Sequence, residues 1–260
     1  MAWRSSGRCN TSLVDNLWKN GLITQDAVKR AFLAVDRGNY APHMPYEDSP
    51  QAIGNKATIS APHMHANAAE TLLPYLLPPT TSSTSSSSIG AAGRPRRILD
   101  IGSGSGYLTH IFAELAGADA VVVGVEHISA LRDLGEANMG KSAGGRELLA
   151  SGRVRFQLGD GRQGWVDSEM PGAATNVGGV ADEDDAQGWD AIHVGAAAAE
   201  MHSELVRQLR RPGRMFIPVE DERTHWDQHI WVVDKDEHGK VEKKRLYGVR
   251  YVPLTDPPLD

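Results

Sequence analysis

The run Ile98-Leu99-Asp100-Ile101-Gly102-Ser103-Gly104-Ser105-Gly106 sets an apolar segment against three alternating glycines, with a helix-forming segment directly after. Such a turn suits nucleotide-like chemistry. Glycines let a backbone approach a ligand closely, and open α/β sheets bind ligands beyond the carboxyl ends of their strands. Two acids follow at matching places. Glu126 closes the next apolar run and can accept both hydroxyls of a ribose. Asp160, within Gly159-Asp160-Gly161 after the third run, can accept from an adenine amino group. The plain alternatives are a solvated strand end at Glu126 and a hairpin-type turn at Asp160-Gly161.

Two phosphate-binding patterns fit poorly. A dinucleotide fingerprint needs a third glycine where Tyr107 stands, and a P-loop needs a lysine that does not follow these glycines. S-adenosylmethionine carries no phosphate and suits a turn without phosphate-binding cations.

The elements that must hold this turn follow from periodicity. Arg97–Ile101, Ala120–Glu126, Val154–Leu158 and Trp189–Val194 read as strands. Tyr107–Leu115, Ile128–Asn138 and Ala198–Leu209 read as the helices among them. That alternation predicts a doubly wound, mostly parallel Rossmann-like sheet. Met215–Val219, His229–Val233 and Lys243–Val249 follow without long helices and predict an antiparallel C-terminal edge.

The upstream part predicts a helical extension. Thr11 or Ser12 caps a helix bearing Leu13, Leu17 and Trp18, closed by Asn20-Gly21, and Thr24 caps a second bearing Val28, Phe32 and Val35. Residues 37–62 read as loop with one short strand. Pro62 opens a helix to about Leu77, with Met64, Ala68, Leu72 and Leu76 on one face. The expected division is an N-terminal helical and loop region over 1–78, a flexible serine-rich insertion over 79–95, and an α/β core over 96–260, all in one integrated domain. A second low-complexity segment covers about 171–188 and holds the acidic run from Asp182 to Asp185, which reads as a solvated loop.

Bulk properties narrow the classes. The chain has 260 residues, 40% hydrophobic and 23% charged, with net charge -6. A duplex nucleic acid partner needs a basic surplus on one face, and only Arg94, Arg96 and Arg97 cluster. Residues 1–20 lack the pattern of a signal peptide, and no stretch of ~20 apolar residues could span a membrane. The lone Cys9 fits a reducing compartment, so a cytosolic protein without membrane or nucleic acid partners is expected.

Six separated blocks carry a family resemblance. Ala57-Thr58-Ile59-Ser60-Ala61-Pro62-His63-Met64-His65-Ala66 resembles the signature segment of protein-L-isoaspartate O-methyltransferases. Asp48-Ser49-Pro50-Gln51, the turn from Asp100, Gly159-Asp160-Gly161, the stretch from Asp190 to Ala197, and Val252-Pro253-Leu254-Thr255-Asp256 are similar to that family's other blocks, in its order. The resemblance implies a class I methyltransferase fold. It also implies methyl transfer from S-adenosylmethionine to the carboxylate of L-isoaspartyl residues in damaged proteins, with the enzyme working as a monomer.

Carried over residue by residue, the resemblance makes Ser60 the active-site serine. It places Thr58, Ile59, His65, Asp100, Gly102, Ser103, Gly104, Glu126, His127, Asp160, Gly161 and Thr255 at the cofactor, and Ala57, Ser60, His65, Val194 and Gly195 at the substrate.

The chemistry agrees with these residue types. A carboxylate is already ionised near neutral pH, so methyl transfer to it needs no strong base. Positioning of nucleophile, methyl carbon and leaving group can supply on the order of 7–11 kcal/mol. Ser60 is therefore expected to orient the carboxylate, not to form a covalent bond. A plainer role for Ser60 is capping the helix that follows. His63 and His65 form a His-x-His pair without a third ligand at suitable spacing, so no metal is expected. His193 reads as a packed histidine. A class I methyltransferase with another acceptor and a non-catalytic cofactor-fold module are the alternatives. The first lacks an Asn-Pro-Pro-Tyr motif here, and the second predicts decay of a turn and a serine that are intact. Asn20-Gly21 is also a dipeptide prone to succinimide formation, which would make the aged enzyme its own substrate.

Overall fold

In the computed structural model, residues 2–78, 94–166, 187–221, 224 and 227–254 are described. The two low-complexity segments and Thr255 lie largely or wholly outside them.

The N-terminal part contains α1 (Asn10–Lys19) and α2 (Asp26–Ala34), then the short strands β1 (Gln51–Gly54) and β2 (Ala57–Ile59), then α3 (Pro62–Leu76). The single strand expected between 37 and 62 is thus a hairpin, with Ala52 opposite Thr58. Its turn residues Asn55 and Lys56 both have positive φ, as a tight two-residue connection demands.

The caps also differ from expectation. Cys9, not Thr11 or Ser12, is the N-cap of α1, and Ser12 reaches back to accept from the Cys9 N–H at 3.0 Å. Gln25 begins α2 in place of Thr24. A distant acid serves that end: Glu70 of α3 accepts from the backbone N–H groups of Thr24 and Gln25 and from the Thr24 hydroxyl, all within 2.9 Å.

The core follows as β3 (Arg97–Ile101), α4 (Tyr107–Ala116), β4 (Val121–Glu126), α5 (Ser129–Met139), α6 (Ala143–Ala150), β5 (Val154–Leu158), β6 (Trp189–Val194), α7 (Ser203–Gln208), β7 (Leu209–Glu220), β8 (Gln228–Lys235) and β9 (Val241–Val249). The strands form one seven-stranded sheet in the order β5-β4-β3-β6-β7-β8-β9. Pairings from β5 through β7 are parallel, and those of β8 with β7 and β9 are antiparallel.

The expected helix over 198–209 is confined to α7. Ala198 instead bridges to Val219, and Ala197 to Pro253. The helix α6 was not anticipated, because Gly144, Gly145 and the short apolar pair Leu148-Leu149 give little helical periodicity.

Alternation along the strands builds two apolar layers, one on each face. Ile98, Val122, Ala191 and Phe216 join the cluster made with α1 to α4, while Leu99, Val123, Ile192 and Met215 join the cluster containing Leu205 of α7. The N-terminal helices therefore share their packing with the sheet.

At the amino ends of the strands, fully buried Asp190 accepts from Arg210 at 2.6 Å, from Arg96 at 3.2 Å and from the Arg97 N–H at 2.8 Å. The Arg97 guanidinium lies over the Trp189 ring at 4.8 Å. The arginine cluster read from the sequence is thus largely committed to an internal acid. Binding chemistry falls to the opposite end, where the strand order reverses between β3 and β6.

Candidate active site

Beyond the carboxyl ends of β3 and β4 the chain forms a cradle. Gly102 donates to the Val125 carbonyl at 2.8 Å, and Gly195 donates to the Ile101 carbonyl at 2.7 Å. These bonds draw the glycine turn and the β6 exit together. Gly106 has φ of 81°, and a Cβ there would lie 2.9 Å from the Gly135 carbonyl, so α4 can start against α5 only with glycine at this position. Glu126 is 4% exposed. Its carboxylate accepts from the Gly104 N–H at 3.1 Å and from the His127 N–H at 2.9 Å.

A cavity of about 430 Å³ opens here. Of the residues expected at the cofactor, Thr58, Gly102, Gly104, Glu126, His127 and Gly161 line it, together with Ala57 and Gly195 from the expected substrate set. Residues not singled out from the sequence for this cavity include Asn55 and Lys56 of the hairpin turn, and Val252, Pro253 and Leu254.

Other expected residues sit behind the wall. Ile59, Ser103 and Val194 are buried and line neither this cavity nor the cleft beside it. Asp100 faces inward, accepting from His193 Nδ1 at 2.7 Å and from the Thr109 hydroxyl at 2.5 Å, and so ties β3 to β6 and α4. His193 is accordingly a packed histidine. Asp160 is held by a bidentate Arg162 at 2.8–3.1 Å, and the same hydrogen bonds keep its carboxyl below the usual range. His65 is buried, with Nδ1 3.3 Å from Arg37 Nη1 and its ring 5.3 Å from that of Tyr107.

A larger cleft of about 1010 Å³ adjoins the first, and Thr58, Gly195 and Val252 line both. Ser60 lines this cleft. The N-cap of α3 is Ala61 and has no side-chain capping bond, so Ser60 does not cap that helix. Asp48 covers the helix start instead, accepting from the His63 N–H at 3.0 Å and from His63 Nδ1 at 2.7 Å. Tyr251 lines the same cleft, and its phenol is pushed up by burial and by neighbouring Tyr247. Tyr247 is itself pushed up to about 12 by burial and donates to Asn67. The two histidines of the His-x-His pair are therefore engaged separately, one by Asp48 and one by Arg37.

A doubly wound sheet with a glycine turn at its switch point and an acid closing the adjoining strand, opening into a nucleoside-sized cavity joined to a wide cleft, defines a class I S-adenosylmethionine-dependent methyltransferase. The family model for protein-L-isoaspartate(D-aspartate) O-methyltransferase matches residues 8–258. The chain belongs to that family.

Relatives agree along the whole length. A protein-L-isoaspartate O-methyltransferase of Caenorhabditis elegans is 41% identical over 98% of this chain and 96% of its own. Protein-L-isoaspartate O-methyltransferase 1 of Arabidopsis thaliana is 39% identical over 96% of this chain and 93% of its own. A solved Plasmodium falciparum structure assigned to the same enzyme, in complex with S-adenosyl-L-homocysteine, is 31% identical with a TM-score of 0.75, covering 96% of this chain and 99% of that one.

Proposed function

We propose that this chain transfers the methyl group of S-adenosylmethionine to the free carboxylate of L-isoaspartyl residues in damaged proteins. The observation that carries the reading is the junction of the two cavities at Thr58 and Gly195, with Ser60 on the cleft side and Glu126 on the other.

The smaller cavity fits a nucleoside cofactor. Glu126 presents a buried carboxylate to ribose hydroxyls, and the flexible-backbone positions Gly102, Gly104 and Gly161 allow close approach. Bound there, S-adenosylmethionine supplies an electrophilic methyl group. The protein's own part is orientation. Ser60, its backbone carbonyl held by Arg37, offers its hydroxyl to the incoming carboxylate, while Thr58 and Gly195, which line both compartments, set the distance between them. Val252 lines both compartments, and Pro253 and Leu254 add apolar wall to the smaller one. No residue has to remove a proton, because the nucleophile is already ionised.

Among the described residues no helix is long and apolar enough to cross a membrane. The same reading takes the protein as a cytosolic monomer, in keeping with its single unpaired Cys9.

The test is transfer of labelled methyl to a short L-isoaspartyl peptide, with the L-aspartyl peptide as control. Selective, base-labile labelling is expected. Absence of labelling while S-adenosylhomocysteine still binds would overturn the acceptor. Ser60→Ala should lower kcat while leaving cofactor affinity unchanged, and wild-type turnover in that variant would remove Ser60 from the mechanism.

A further inference from the structure

The larger cleft has a charge character that the protein as a whole lacks. The chain carries net charge -6. Yet the described residues lining the cleft include Arg4 and Arg250 and no Asp or Glu. Both arginines are exposed, and neither has an ion-pair partner among the described residues. They approach from separate parts of the chain, one from the N-terminal 3-10 turn over Ala2–Ser5 and one from the segment that follows β9.

At about 1010 Å³ the cleft exceeds one isoaspartyl residue several times over, so neighbouring residues of a substrate must enter with it. The reacting carboxylate supplies one negative charge at the Ser60 end. Two unpaired guanidinium groups leave attraction for further anions beside it. A wall of one sign with low-dielectric surroundings concentrates ligands of the other sign.

We infer that Arg4 and Arg250 form a flanking subsite that favours isoaspartyl sites with acidic side chains close by in the substrate sequence. The inference rests on the isoaspartyl reading above. It adds a preference among substrates, set by residues that take no part in the methyl transfer itself. Physically it suits the damage in question, since an isoaspartyl site in an acidic segment is an anion among anions, which an acidic cleft would repel and a basic one attracts.

The experiment uses the full chain with three isoaspartyl peptides that differ only in flanking Glu, Gln or Lys. At low ionic strength kcat/KM should fall in the order Glu, Gln, Lys. A spread of about three- to tenfold, mostly in KM, is expected for exposed charge pairs. The spread should shrink at ~0.5 M salt, where screening reaches only a few ångströms. The double variant Arg4→Gln, Arg250→Gln should bring the three values together, with its melting temperature and S-adenosylhomocysteine affinity confirming a folded protein. Equal kcat/KM for the three peptides in the wild type, or an undiminished spread in the double variant, would overturn the subsite alone. No turnover of any isoaspartyl peptide would overturn the isoaspartyl reading and the subsite with it.

Discussion

Arg37, fully buried, donates from Nη2 to the carbonyl oxygen of Ser60 at 2.8 Å. Its guanidinium also lies 5.1 Å over the Tyr107 ring, and burial lowers its pKa to about 10, which leaves it charged at working pH. Ser60, which lines the larger cleft, is therefore anchored through its backbone by a buried cation that does not line it. Replacing Arg37 by Ala removes that anchor and leaves the Ser60 carbonyl and the neighbouring Asp48 without their cation. A loss on the order of 3 kcal/mol in unfolding free energy is expected, read by urea denaturation. Arg37→Lys should recover part of it, because an ammonium can reach one acceptor but lacks the planar fork. A variant as stable as the wild type would show that Ser60 is held by other contacts.

The same guanidinium fixes a pH dependence. Arg37 can only donate, so His65 Nδ1 must accept, and the ring is held neutral. Burial first, then Arg37, His193 and His63, lowers the His65 pKa well below its ordinary 6.5. A histidine that is neutral when folded and titrates normally when unfolded stabilises fully above about pH 6.5. That stability is lost as the pH falls below 6.5 towards the folded value, because the unfolded chain takes up the proton first. As the pH falls below about 6.5 the unfolding free energy should fall with it, the slope growing towards about 1.4 kcal/mol per pH unit for this one proton. In His65→Gln that slope should flatten. An unchanged slope in the variant would place the dependence elsewhere.

Much of the core was readable because it is local in sequence. The glycine turn, Glu126 at a strand end and Pro62 at a helix start are each determined within a few residues, and the structure puts them at those places. What could not be read is long-range. Glu70 capping the second helix, Asp48 holding His63 and Arg37 under Ser60 all join residues that are not neighbours in the chain, and Tyr251 reaches the cleft that Ser60 lines from the far end of the sequence. Asp100 shows the converse. Its place in the turn motif points to the ligand, but strand alternation turns its side chain inward to His193 and Thr109. For the arginines at 4 and 250 there was no periodic or motif signal, since only the closed fold brings them to one cleft.

The Glu126 carboxylate supplies a third prediction. One oxygen accepts from Gly104 and the other from His127, so the acid shapes the glycine turn as well as facing the cavity. Glu126→Gln would set an amide N–H against one of those backbone donors. Hydrogen bonds to a charged group contribute about 1.5–3 kcal/mol, so S-adenosylhomocysteine affinity should drop roughly 10- to 100-fold by calorimetry. Glu126→Asp, one methylene shorter, should fall between. Unaltered affinity in the Gln variant would remove this carboxylate from cofactor binding.

Asn20-Gly21 carries the last. By sequence it is among the dipeptides most prone to succinimide closure, in which the Gly21 nitrogen attacks the Asn20 side-chain carbonyl. The fold opposes that attack on both sides. The Gly21 N–H donates to the Trp18 carbonyl at 3.0 Å, and Asn20 Nδ2 donates to the Ser5 hydroxyl at 2.9 Å. Asn20 sits at the end of α1 with ψ of 3°, so the reacting atoms must first be freed by local opening. Each ~1.4 kcal/mol of opening free energy slows the reaction about tenfold. Isoaspartate at position 20 should therefore accumulate more slowly in the folded enzyme than in a peptide of the same sequence, and the difference should narrow in mild denaturant that frays α1. Because Asn20 lines the larger cleft, damage there would alter the wall of that cleft. Peptide mapping during storage gives the rate directly. A rate equal to that of the free peptide would mean that these two hydrogen bonds do not protect the residue.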